Sequence, residues 1–164
     1  MHETPEELSA LQHLLDTSYT GAGEFLRSVI PRDSTASANA LVARLTGVCL
    51  LSLATVTADG RPVAGPVDGL FYRGAFWFGT GKSSVRARHI RSRPAVSAVH
   101  VPAEVFSVTV HGKAGIVDLR DRAHAGFRSY LIEVYGESWE DWGAGATYAR
   151  IDPHRMFTFL LEEA

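Results

Sequence analysis

At 164 residues, 46 % of them hydrophobic, the chain has material for one core and one domain. A formal net charge of −2 argues against a generally basic nucleic-acid binder, and a single cysteine excludes a disulfide framework and suits a reducing compartment. No apolar run approaches the roughly 18 residues of a membrane span, and the acidic start lacks a signal peptide's basic region, so a cytoplasmic protein without membrane contact is expected.

Thr4-Pro5-Glu6-Glu7 has the form of a capping box with proline at the first helical position. Leu8, Leu11 and Leu15 then recur on one face, which predicts a helix over residues 5–16. Gly21 and Gly23 interrupt the pattern, and Phe25 to Ile30 suits a helical turn that Pro31 ends. Leu41, Val42 and Leu45 return at helical spacing until Gly47. From Val48 the period shortens. A strand is expected from Val48 to Thr57, a hairpin turn at Ala58-Asp59-Gly60, a second strand from Pro62 to Tyr72 and a third from Ala75 to Phe78. A turn at Gly79-Thr80-Gly81 leads to a helix from Ser83 to Arg93, which Pro94 blocks. Two more strands follow, Ala95 to Val101 and Val105 to Val117. Asp121 to Tyr135 reads as a helix with Ala123, Phe127, Leu131 and Val134 turned inward, residues 136–145 as a loop, and Tyr148 to Leu161 as a last strand containing Pro153. Strands joined mostly by tight turns, with helices inserted, predict a mainly β fold with α additions, an antiparallel barrel.

Charge is placed unevenly along this frame. Six of the 16 basic residues (Arg73, Lys82, Arg86, Arg88, Arg91 and Arg93) lie between Gly69 and Ala103 with no acid among them, which leaves ten against 18 acids elsewhere. A cationic segment inside an acidic chain points to a local anionic ligand. The segment opens with small residues, the Thr80 hydroxyl, Lys82, and Ser83 and Ser84 as N-cap candidates, a combination that suits a phosphate at a helix N-terminus. A solvated basic face would explain the charges but not the hydroxyls and glycines at the helix entrance.

Other chemistries find less support. Gly81-Lys82-Ser83 is not a nucleotide P-loop, because Phe76 stands where that motif needs its first glycine. One basic helix is a small footprint for nucleic acid. The seven histidines show no metal spacing; His100 and His111 fall on neighbouring predicted strands, which could bring them close. No Gly-x-Ser-x-Gly elbow occurs, and Cys49 sits among aliphatic residues, a poor setting for a nucleophile. No residue takes a catalytic acid or base role, so chemistry would come from a bound cofactor. Phe127, Tyr130, Trp139, Trp142 and Tyr148 read first as core and second as pocket lining.

The segment Leu53-Ala54-Thr55-Val56-Thr57-Ala58-Asp59-Gly60-Arg61-Pro62 resembles the opening hairpin of the pyridoxamine 5′-phosphate oxidase-like, FMN-binding split-barrel superfamily. Further marks follow in order: Pro66-Val67, Phe76 through Gly81, Arg91 through Ser97, Val108 through Ala114, and Ala149 through Phe157. The likeness spans about residues 40–160, which makes residues 1–39 an N-terminal helical extension and 40–164 the split-barrel domain.

The resemblance implies a flavin-dependent oxidoreductase acting on a small molecule, built as a homodimer with the cofactor at the subunit interface. It implies that Thr80 and Ser84 contact the flavin phosphate and ribityl chain, that Arg86 stands on the phosphate, that Pro66 and Val67 meet the isoalloxazine ring, and that Ser107 replaces a glutamine used by some members. With the rest of the turn, the cofactor-binding set becomes Pro66, Val67, Gly79, Thr80, Gly81, Lys82, Ser83, Ser84, Arg86 and Ser107. Two departures stand out: His89 replaces a frequent asparagine, and the oxidase's own C-terminal substrate signature is absent. The alternatives are deazaflavin F420 in place of FMN, with Arg88, Arg91 and Arg93 near its longer tail; haem, with His89, His100 or His111 as ligand; and a non-catalytic flavin sensor. Residues 136–147, rich in glycine and tryptophan, suggest a lid over the partner's ring.

Overall fold

The computed structural model describes residues 2–143 and 145–161. Met1, Ala144 and residues 162–164, which the expected extension, loop and barrel domain include, lie outside the described residues. The first helix, α1 (Pro5–Thr20), opens on the predicted capping box: Thr4 Oγ1 accepts from the Glu7 N–H at 3.2 Å, and the Glu7 carboxylate accepts from the Thr4 N–H at 2.9 Å. It runs a turn past the expected end because Ser18 is buried and its Oγ accepts from the Met156 N–H at 2.9 Å. A short α2 (Glu24–Val29), a 3-10 turn (Arg32–Ser34) and α3 (Ala38–Arg44), capped by Ser37, complete the N-terminal part.

Six strands follow: β1 (Val48–Val56), β2 (Pro62–Tyr72), β3 (Ala75–Gly81), β4 (Ala95–Ala103), β5 (Phe106–Val117) and β6 (Ala146–Leu160). They close an antiparallel barrel in the order β1-β2-β3-β6-β5-β4. Alternation along each strand fills the interior: Cys49, Leu51 and Leu53 from β1, Phe76 and Phe78 from β3, Val108 and Val110 from β5, and Ile151 and Met156 from β6. Leu11, Leu15, Leu41 and Leu45 join that same core, so the N-terminal helices are packed on the barrel rather than appended to it.

Between β3 and β4 lies α4 (Val85–Ser92), packed on β1, β3 and β5. Two polar contacts fasten it to β1: Thr55 Oγ1 lies 3.0 Å from His89 Nδ1, and Arg93 Nε donates to the Val56 carbonyl at 3.0 Å. After β5 come a 3-10 turn (Arg122–His124), α5 (Ala125–Tyr135) and α6 (Trp139–Gly143). They bury a second aromatic cluster against β3 and β6, in which Trp77 and Phe127 stack at 4.2 Å and Trp139 Nε1 donates to Tyr148 Oη at 3.0 Å.

Several expectations are corrected. Gly79, Thr80 and Gly81 form the end of β3, not a turn, because they pair with Tyr148, Thr147 and Ala146 of β6; the turn is Lys82–Ser84. The expected loop over 136–145 contains α6, and Trp139 is buried in the second cluster. Phe127, Tyr130, Trp139 and Tyr148 are core, whereas Trp142 is 58 % exposed. Ala123 is exposed, and Tyr130 takes the inward position expected of it. His100 and His111 do not meet, since His100 is buried opposite Val108 while His111 faces outward opposite Ser97.

Candidate functional site

The β3–α4 junction follows from two local facts. Pairing with β6 carries β3 to Gly81, and Ser84 then caps α4, its Oγ accepting from the Ala87 N–H at 3.0 Å. The same Oγ lies 3.0 Å from Thr80 Oγ1, so the strand's last hydroxyl and the helix's cap face one another across the turn. Ser83, the other cap candidate, is exposed. The turn is braced from below by Arg91, whose Nη1 donates to the Lys82 carbonyl at 3.1 Å.

Arg86 lies in the first turn of α4 and reaches back over β2, where its Nη2 donates to the Pro66 carbonyl at 3.3 Å. Gly65 makes that reach feasible, since a Cβ there would stand 3.3 Å from the same nitrogen. Burial pushes the Arg86 pKa below its ordinary value, yet the guanidinium stays charged at neutral pH. Among the described residues no carboxylate lies within ion-pair distance of it. A half-buried cation in the first turn of a helix that opens on two hydroxyls has the chemistry that an anion site needs.

The structure therefore brings Thr80, Gly81, Lys82, Ser83, Ser84 and Arg86 together, with the Pro66 carbonyl accepting from the guanidinium. Gly79 lies beside them on β3, its Cα face against the Tyr148 ring. Val67 differs: its side chain is buried in the barrel, so only its backbone is available to a ligand outside. Ser107 is on the outward face of β5, but the register runs Pro66–Ser52–Val99–Thr109, three strand spacings from β2, roughly 14 Å along the sheet. It does not join the turn cluster.

Gly65 and the Ser97–His111 pair, with Ser97 Oγ 2.7 Å from His111 Nδ1, are features that sequence reasoning did not single out. A glycine inside a strand is a signal of close approach and could have marked Gly65; the histidine pair depends on strand register alone. Of the three histidines considered as ligands, His89 is buried on Thr55, and His100 is buried with Nδ1–H donating to the Leu50 carbonyl at 2.8 Å. Burial first, then the charges of His154 and Arg155, hold the His111 pKa below the ordinary value. Among the described residues no group of three or more metal-ligating side chains is placed to hold an ion.

The profile of a family described as Pyridoxamine 5′-phosphate oxidase matches residues 38–164, well over half of the chain. The chain belongs to that family. Among solved structures, the barrel is similar to a conserved hypothetical protein from Mycobacterium tuberculosis (20 % identity, 81 % of this chain and 94 % of that one, TM-score 0.62). It is also similar to an FAD-binding protein from Mesorhizobium loti (20 % identity, 76 % and 93 %, TM-score 0.60). A third is the haem storage protein HutZ from Vibrio cholerae (21 % identity, 70 % and 89 %, TM-score 0.60). At these identities the likeness shows the fold, with flavin-binding and haem-binding proteins both among its bearers. No curated protein matches the chain. No described helix is long and apolar enough to cross a membrane.

Proposed function

We propose that this member of the oxidase family binds a flavin of the FMN type and serves as an oxidoreductase toward a small molecule. The observation that carries the reading is Arg86, a half-buried guanidinium with no carboxylate partner among the described residues, bonded to β2 from the helix turn that opens on Thr80 and Ser84. A phosphomonoester is close to dianionic, and the planar guanidinium meets it with two parallel hydrogen bonds while the hydroxyls and the α4 N–H groups take the remaining oxygens. Lys82 and Ser83 lie at the rim of the same turn.

From that anchor a ring system would lie along the outward face of β2 and β1, over Pro66 and the backbone at Val67, with Ser107 on the far side of the same face. When bound, a flavin supplies hydride or single-electron transfer; the chain's part is to bind, orient and shield it. Shielding needs a second surface. Val48, Leu50 and Val101 are 42 %, 63 % and 61 % exposed on the outward faces of β1 and β4, an apolar cluster of the kind that a second copy covers. We therefore propose a homodimer in which the second copy covers this face and closes the cofactor cleft, with the small-molecule substrate entering at that cleft.

Haem is the second reading. The similar structures include a haem storage protein and a haem-binding protein from Mycobacterium smegmatis, and His111 is the one of the three considered histidines that faces outward on the sheet. Titration of the purified chain with FMN, F420 and haemin, followed by absorption, separates the cofactors. Stoichiometric FMN binding is expected. A Soret band with no flavin binding would replace the flavin reading, and turnover of reduced flavin with an electron acceptor distinguishes an enzyme from a sensor.

A further inference from the structure

On the other flank of α4 from Arg86 lies a second cleft, of about 730 Å³, between the Lys82 turn, the end of β5 and α5–α6. Its walls carry four cations, Lys82, Arg91, Arg120 and Arg128, against two carboxylates, Asp118 and Glu140. Both carboxylates are already engaged: Asp118 Oδ2 accepts from Arg120 Nη2 at 2.7 Å, and Glu140 pairs with Arg128. Lys82 and Arg91 have no carboxylate within ion-pair distance among the described residues. The bond from Arg91 Nη1 to the Lys82 carbonyl holds the guanidinium at the Lys82 turn, and both cations line the cleft. Half-buried Ile116, Val117 and Leu119 line the opposite side.

An α-helix turns about 100° per residue, so Arg91, five residues after Arg86, points about 140° away from it. The cleft and the Arg86 cradle thus open in different directions and share only the Lys82 turn. A concave site of this size, with an apolar wall and a few convergent charges, fits a small organic ligand better than a bare ion. We propose that the cleft binds an organic anion, its carboxylate or phosphate ester between Lys82 and Arg91 and its apolar body on Ile116 and Leu119. The site is additional to the flavin-phosphate site and does not depend on it.

The test is an amide-resonance titration of the ¹⁵N-labelled full chain with 2-naphthoate, run with and without saturating FMN. Saturable shifts are expected at Ile116 to Arg120 and at Thr147, in both conditions. Arg91→Gln should weaken binding by about tenfold, the loss of one charge-assisted bond. Arg91→Lys should recover part of it, and Arg86→Ala should leave it unchanged. Naphthyl phosphate in a second arm shows which head group is preferred, and inorganic phosphate, lacking an apolar body, should shift the same amides only weakly. If Arg91→Gln does not fold, Arg120→Glu, at a side chain 90 % exposed, brings a repelling charge to the lining of the cleft and should also weaken binding. The proposal is overturned if naphthoate gives no saturable shifts there or if removing the cations leaves its affinity unchanged. Displacement of naphthoate by FMN or F420 also overturns it, since the cleft would then belong to the cofactor. Failure of the wild-type chain to bind FMN, with naphthoate binding intact, refutes the flavin reading alone.

Discussion

Replacing Arg86 by alanine tests the cofactor reading at its centre. In the structure the guanidinium donates one long bond, Nη2 to the Pro66 carbonyl at 3.3 Å, which leaves most of its five N–H donors free for a ligand. Two parallel bonds to a phosphate would each contribute roughly 1.5–3 kcal/mol. The side chain is only half-buried, however, so water and Lys82 would replace part of what is lost. The net effect should be near that of one bond, which raises the FMN dissociation constant roughly tenfold to a hundredfold. Quenching of flavin fluorescence on titration reads this directly, and added salt should weaken wild-type binding more than variant binding. Arg86→Lys should fall between the two, keeping charge but losing the fork. Thermal unfolding of the apo forms is the control: a bond of 3.3 Å contributes little and the uncompensated charge costs stability, so Arg86→Ala should be no less stable than wild type. A variant that binds FMN within twofold of wild type would show that the phosphate is held elsewhere.

Burial pushes the Cys49 thiol up to about 11, so a disulfide reagent at pH 8 should leave the native chain unmodified and label it only after unfolding. Leu50→Asp places a charge in the exposed apolar face of β1; light scattering should find a dimer for wild type and a monomer for the variant, and flavin affinity should fall with it. Gly112→Ala puts a Cβ against the Asp152 carbonyl at the register shift between β5 and β6, and urea unfolding should show a loss of about 1–3 kcal/mol. His111 has a folded pKa held below the ordinary value by burial and by His154 and Arg155, so protonation favours the unfolded chain. The stability it contributes should be complete above about pH 6.5 and decline as pH falls below that; His111→Gln should flatten this dependence, and an NMR titration should find the native His111 pKa below 6.5.

What the residues disclosed by themselves was local. The capping box at Thr4, the Asp59-Gly60 hairpin and the stop at Pro94 each depend on neighbours within a few positions, and each stands where expected. Closure of the barrel depends on pairs far apart in the chain. The glycines that flank Thr80 predict a turn; it is strand because Thr147 pairs with it. Trp139 is core as expected, but its partner is not legible locally: Tyr148, on a distant strand, accepts from its indole N–H. Which face His100 and His111 take was equally hidden, since the irregularity between His100 and Ala103 alters the register without leaving a strong signature in sequence.

The same non-local pairing explains why the candidate site breaks a local rule. By extending β3 to Gly81, the partnership with β6 sets the start of α4 at Val85 and so puts Arg86 in the helix's first turn, where no acid accompanies it. A cation there opposes the helix dipole at a cost of a few tenths to about 1 kcal/mol, and burial without a counter-charge adds to the cost. Among the described residues neither term has a compensating contact beyond the Pro66 carbonyl. Sequences that fold well violate local preferences mainly where function demands it. An anion seated against Thr80, Ser84 and Arg86 would relieve both terms at once, and its binding should therefore raise the thermal stability of the chain more in wild type than in Arg86→Ala.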